Sequence, residues 1–107
     1  MVAIGNRIQL LDEPLQGFCR RWNVAELAVF GSVLRDDFRP DSDVDVLVAF
    51  QPGARHSIFD VIRMEEELTD LVGRKVDLIE KRAIEASQNG FRKRAILGTA
   101  RVIFHAG

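Results

Sequence analysis

The chain has 107 residues, of which 47% are hydrophobic and 29% charged, with 16 acidic against 15 basic side chains and a net charge of -1. This is the composition of one small globular domain, and it excludes a disordered or collagen-like chain, a catalytic domain with a separate substrate domain, and a strongly basic nucleic-acid glove. Residues 1–107 read as a single domain with its core from about Glu13 to His105, so small that a buried carboxylate needs a specific role.

The first helix is expected from Glu13 to Trp22, where Pro14 suits a first helical turn and Leu15, Phe18, Cys19 and Trp22 recur at helical spacing. Cys19 falls on that stripe as a small buried hydrophobe. As the chain's one cysteine it forms no intrachain disulfide, which fits a reducing compartment. Glu26 to Phe30 reads as a short buried strand ending at Gly31. Asp43 to Phe50 reads as a central strand, apolar on both faces after its first residues and ended by Pro52-Gly53.

Ser57 is placed to cap a helix that runs to Val72 and stops at Gly73. Its core side is expected to carry Ile58, Val61, Ile62, Leu68 and Val72, with Arg63, Glu66, Glu67 and Asp70 outward. Lys75 to Ile79 reads as a third strand. A polar helical stretch holding Phe91, Ala95 and Ile96 then leads to a last apolar piece, Val102-Ile103-Phe104. The alternation predicts an α/β (α+β) fold, a small mixed sheet packed against helices.

Neither a run of the roughly 18 apolar residues that cross a bilayer nor a signal-peptide core is visible, so the expectation is a soluble, cytoplasmic protein with no membrane partner. Lys81, Arg82, Arg92, Lys93, Arg94 and Arg101 concentrate toward the C-terminal end. That reads either as a solvated helix face or as a contact with an acidic partner or nucleotide phosphates. His56 and His105 form no metal-binding spacing and are expected at the surface.

The chemistry-bearing residues begin at Phe30-Gly31-Ser32, where a strand ends in a glycine and a hydroxyl. Such a junction is an ordinary turn or a place for a phosphate to approach exposed backbone N–H groups. Asp43 and Asp45 lie two apart at the start of the next strand, so the period of two puts both carboxylates on one face. They belong to a solvated acidic loop with Asp37 and Asp41 or, since Asp45 is embedded among Val44, Val46, Leu47 and Val48, to a site whose repulsion a cation relieves. Asp77, between Val76 and Leu78-Ile79, poses the same question on the third strand. Were the two strands neighbours, the three carboxylates would surround a metal pair of the kind that drives in-line phosphoryl displacement.

The stretch from Ala28 to Arg35 (AVFGSVLR), followed by Pro40 to Val48 (PDSDVDVLV) and the later Asp77, resembles the minimal nucleotidyltransferases of the DNA polymerase beta superfamily. These are small proteins often encoded beside a HEPN-domain partner in toxin–antitoxin pairs. The resemblance covers about Glu13 to His105 and implies the minimal nucleotidyltransferase fold. It implies Asp43, Asp45 and Asp77 as catalytic metal ligands for two Mg2+ ions, or Mn2+, with Asp77 also helping to activate the acceptor hydroxyl. Gly31, Ser32 and Arg35 would bind the nucleotide. Arg35 is followed by Asp36-Asp37, where many relatives have glycine.

It implies further that the chain is an antitoxin enzyme transferring AMP from ATP to a hydroxyl, expected to be a tyrosine, of a cognate HEPN ribonuclease toxin held in a hetero-oligomer, with no direct nucleic-acid binding. The sequence contains no tyrosine, so such a transfer is made in trans. Arg101 and His105 are too closely spaced for a HEPN ribonuclease motif. Two other readings stay open: an antitoxin that inhibits by stoichiometric binding alone, and a small-molecule nucleotidyltransferase.

Overall fold

A computed structural model describes residues 2–4, 8–10, 12–31 and 43–106. The order is β1 (Val2–Ile4), β2 (Ile8–Leu10), α1 (Asp12–Arg21), β3 (Val24–Phe30), β4 (Val44–Phe50), α2 (Ile58–Val72), β5 (Val76–Glu80), α3 (Lys81–Glu85), α4 (Gly90–Thr99) and β6 (Arg101–His105). β1 and β2 pair antiparallel as a separate two-stranded sheet that the hydrophobic pattern did not predict, since three-residue strands carry too little periodicity.

The main sheet has the order β5-β4-β3-β6. β3 runs antiparallel to both β4 and β6, whereas β4 and β5 are parallel and joined across the sheet by α2. This is the mixed sheet expected, with β4 central. Strand alternation divides its side chains into two sets. On one face Leu27 and Val29, Val44, Val46 and Val48, and Val76 and Leu78 pack against Leu15, Phe18 and Cys19 of α1 and Met64 and Leu68 of α2. On the other, Ala28, Phe30 and Leu47 meet Ile84 of α3 and Ile96 of α4, so β4 is covered on both sides.

Local chemistry fixes the helix ends. Asp12 and Glu13 stand in the first turn of α1 and Arg20 and Arg21 in its last, both favourable to the helix dipole. At α2 the Ser57 hydroxyl accepts from the Asp60 amide at 3.1 Å while the Asp60 carboxylate accepts from the Ser57 amide at 3.0 Å. Gly73 ends that helix with φ of 79°, its amide donating to the Thr69 carbonyl.

Three sequence expectations need correction. The core side of α2 is Val61, Met64, Leu68, Leu71 and Val72, whereas Ile58 and Ile62 are 69% and 45% exposed. They share a helical side with Glu65 and Thr69, which reaches the outer edge of β5 rather than the interior. Glu67 is only partly exposed: its carboxylate accepts from Arg21 at 2.6 Å and from the Trp22 indole at 3.2 Å, tying α1 to α2. His56 is not a surface residue. Its side chain is 9% exposed, with the ring 4.3 Å from Phe50 and 6.0 Å from Trp22 between centroids, and Nε2 has no hydrogen-bond partner among the described residues.

Candidate active site at the leading ends of β4 and β5

The site is built by strand register. In the main sheet Phe30 pairs with Asp45 and Asp45 pairs with Asp77, so these three residues form one row across β3, β4 and β5 with side chains on the same face. That face is covered further along the strands by Ile84, Ile96 and Leu97, and at this end the carboxylates of Asp45 and Asp77 are only partly buried. Partial exposure removes most of the burial penalty that the surrounding apolar residues suggested.

Asp43 lies just before β4, beside the residue that precedes β5. The Val44 amide donates to the Lys75 carbonyl at 2.8 Å, and the Lys75 ammonium stands 3.9 Å from Asp43 Oδ2. Both side chains reach solvent, and an ion pair in that setting is worth no more than about 1 kcal/mol. Lys75 is the positive group at this end of the site that the sequence reading missed. Its signal was parity, since a residue two before Asp77 shares its face.

Gly31 closes β3 with φ of 78°, and a Cβ built on it would lie 2.5 Å from Asp45 Oδ2. Both facts require glycine, because an L side chain strains the backbone there and collides with the carboxylate. Gly31 and Asp45 are therefore in direct apposition, the strand end lying against the carboxylate. Ser32 and Arg35, the other two expected nucleotide-binding residues, lie outside the described residues, as do Asp36, Asp37 and Asp41.

The donor chemistry here is carboxylate oxygen throughout, which suits a hard divalent cation such as Mg2+ or Mn2+. Asp45 and Asp77 are paired on one face, and Asp43 stands at the same end of the strands beside Lys75. Among the described residues, no three His, Cys, Asp or Glu side chains converge closely enough to form a ready-made metal cage. A cleft of about 310 Å³ opens on the same face toward the other end of the strands, floored by Ala28, Leu47 and Ala49 and crossed by the Lys81–Glu26 ion pair at 3.1 Å. Cys19 is buried in the opposite layer, where burial pushes its thiol up to about 12, and it takes no part.

A mixed sheet with a glycine turn set against paired strand-start carboxylates has the architecture of a nucleotidyl-transferring domain. Residues 11–103 match the family described as nucleotidyltransferase domain, and the chain belongs to that family. It is similar to the protein adenylyltransferase MntA of Thermococcus cleftensis, with 41% identity over 62% of this chain and 65% of that protein, so the match spans just under two thirds of the relative's length. A solved structure described as an inferred minimal nucleotidyltransferase superimposes with a TM-score of 0.62 at 33% identity, covering 82% of this chain and 84% of the other. A toxin–antitoxin crystal structure with AMP-PNP shares the fold, with a TM-score of 0.65 at 15% identity over 90% of this chain and 75% of that one. The fold is thus that of the minimal nucleotidyltransferases, and the chain is a member of the nucleotidyltransferase domain family.

Proposed function

We propose that the protein is a Mg2+-dependent antitoxin that transfers AMP from ATP to a hydroxyl, expected to be a tyrosine, of a HEPN ribonuclease toxin and thereby neutralises it. The observation that carries this reading is the row joining Asp45 to Asp77, with Gly31 lying against Asp45. The adenylyltransferase name of the Thermococcus relative supports the choice of AMP. The toxin–antitoxin assembly of a structure with the same fold supports a protein acceptor.

In this reading Asp43, Asp45 and Asp77 hold the metal. Bound Mg2+ supplies charge neutralisation for the triphosphate and for the acceptor oxygen. The chain's own residues orient the reactants. Gly31, lacking a side chain, leaves the backbone at the end of β3 open to phosphate oxygens, with Ser32 and Arg35 adding a hydroxyl and a guanidinium. Asp77 accepts the hydrogen bond of the incoming hydroxyl and turns its oxygen toward the α-phosphorus. The bond formed is acceptor oxygen to α-phosphorus. The bond broken is α-phosphorus to the oxygen bridging to the β-phosphate, whose electron pair leaves with pyrophosphate, and the hydroxyl proton passes to the Asp77 carboxylate. With no tyrosine in the chain, a tyrosine acceptor comes from the partner, in a cytoplasmic hetero-oligomer.

Label transfer tests this. The purified protein is incubated with Mg2+, the neighbouring gene product and ATP labelled at the α or the γ phosphate. α-label alone should appear on the partner, and should vanish with the Asp43→Asn, Asp45→Asn double variant. The toxin–antitoxin assembly of a structure with the same fold is equally compatible with a second reading, inhibition by binding alone. That reading gains if the double variant protects against the toxin at the same molar ratio. Label on a metabolite with none on protein would instead indicate a small-molecule nucleotidyltransferase.

A further inference from the structure

β5 is the edge of the main sheet, yet its outward amides are not left open. The Val76 N–H donates to Thr69 Oγ1 at 3.1 Å and the Leu78 N–H donates to Glu65 Oε2 at 2.8 Å, both in partly buried surroundings. The spacing explains why a helix can do this. Residues four apart on a helix advance about 6 Å, and alternate residues of a strand about 6.6 Å. Two side chains on one side of α2 therefore stand in for a missing neighbouring strand.

Asp77 lies between the two pinned amides. Because peptide groups alternate along a strand, its own N–H and C=O face β4, on the side where the Lys75 carbonyl accepts from Val44 at 2.8 Å. The backbone carrying Asp77 is thus held from β4 directly and from α2 through its two neighbours. A five-residue edge strand held on one side only is free to fray, and fraying would carry Asp77 away from Asp45. The acceptor at Leu78 is a carboxylate oxygen, and a hydrogen bond from an amide to a carboxylate is stronger than one to a neutral oxygen.

We propose that Glu65 and Thr69 are positioning residues that hold β5 by the amides of Leu78 and Val76 and so set Asp77 in register with Asp45. This rests on the reading of Asp77 as a site carboxylate. Simple protection of a sheet edge from association would need the same hydrogen bonds. It differs in outcome, since it predicts a loss of stability or solubility and nothing specific to the site.

The test compares Glu65→Leu with Thr69→Val, which remove the acceptors, against Glu65→Gln with Thr69→Ser, which keep an oxygen at each place. Leu71→Ala serves as a destabilised control on the same helix, and all are assayed where each is folded. The readouts are amide hydrogen exchange at Val76 and Leu78, Mn2+ affinity by water-proton relaxation, and kcat and KM for ATP in label transfer. The acceptor-less pair should expose both amides and lose about tenfold in Mn2+ affinity and in kcat, with KM little changed, as removal of a ligand's supporting partner does. The oxygen-keeping pair and Leu71→Ala should stay within about twofold of the parent. If Asp77→Asn abolishes transfer while the acceptor-less pair keeps the parental kcat and Mn2+ affinity, the inference is wrong and the site reading survives. If Asp77→Asn itself transfers normally, the site reading fails and takes the inference with it. Should the acceptor-less pair not fold, Thr69→Val alone against Thr69→Ser decides by the same measurements.

Discussion

Gly31 and Asp45 are in steric apposition: the position a Cβ would take on Gly31 is 2.5 Å from Asp45 Oδ2, and the glycine backbone is left-handed at φ of 78°. The glycine is thus a geometric requirement of the carboxylate beside it as well as of the turn. Gly31→Ala should cost about 1–2 kcal/mol for the backbone and displace the Asp45 side chain. Thermal unfolding should show a domain that still folds. Label transfer should fall by a larger factor than the stability change accounts for, and equal activity would remove Gly31 from the site.

The row of Asp45 and Asp77 leads to a separation of stability from activity. Two partly exposed carboxylates on neighbouring strands repel, so Asp77→Asn should leave the melting temperature unchanged or raise it slightly. Transfer should drop about a hundredfold or more, the scale seen when one preorganised electrostatic group is lost. EDTA should abolish transfer by the parent protein, and added Mg2+ or Mn2+ should restore it. Full activity in EDTA would contradict the metal-dependent reading.

The layer that supports the site should be far less tolerant. Phe18 is 0% exposed, between α1 and the sheet. Phe18→Ala should cost about 3–5 kcal/mol, a large part of the 5–15 kcal/mol that holds a domain together. Urea unfolding should show a midpoint shifted strongly downward. A shift within error would mean that the cavity is refilled by neighbouring side chains.

Cys19 gives a pH dependence with a definite sign. Burial raises its thiol from 9.0 to about 12 in the fold, so above pH 9 the unfolded chain loses a proton that the folded chain keeps. The folded state then binds more protons, and stability must decline as pH rises from 9 toward 12, with this contribution intact below 9. Cys19→Ala should flatten that decline in pH-resolved unfolding. At pH 8 iodoacetamide should label the thiol only after denaturation, because the thiolate is the reactive form.

Much of this arrangement is local and can be read along the chain. β3, β4 and β5 are hydrophobic runs bounded by Gly31, Pro52-Gly53 and Gly73, and α2 carries its own cap in Ser57 and Asp60. The candidate site residues stood out because a carboxylate inside an apolar strand is chemically anomalous wherever that strand lies. Hydrogen-bonding capacity, side-chain period and turn chemistry act over a few residues, and therefore appear in a few residues of sequence.

What the tertiary structure alone decided were the pairings between distant segments. Asp45 meets Asp77 only because α2 returns the chain parallel to β4 in one register, and a slip of one residue would turn Asp77 to the opposite face. The same return sets Glu65 and Thr69 against the β5 edge and leaves Ile58 and Ile62 on that helical side exposed. His56 is enclosed by Trp22 and Phe50, which come from other parts of the chain, so nothing in its own neighbourhood announced its burial. The residue types at the site are legible in sequence because chemistry belongs to side chains. Their apposition is not, because it belongs to packing and strand register across segments far apart in the chain.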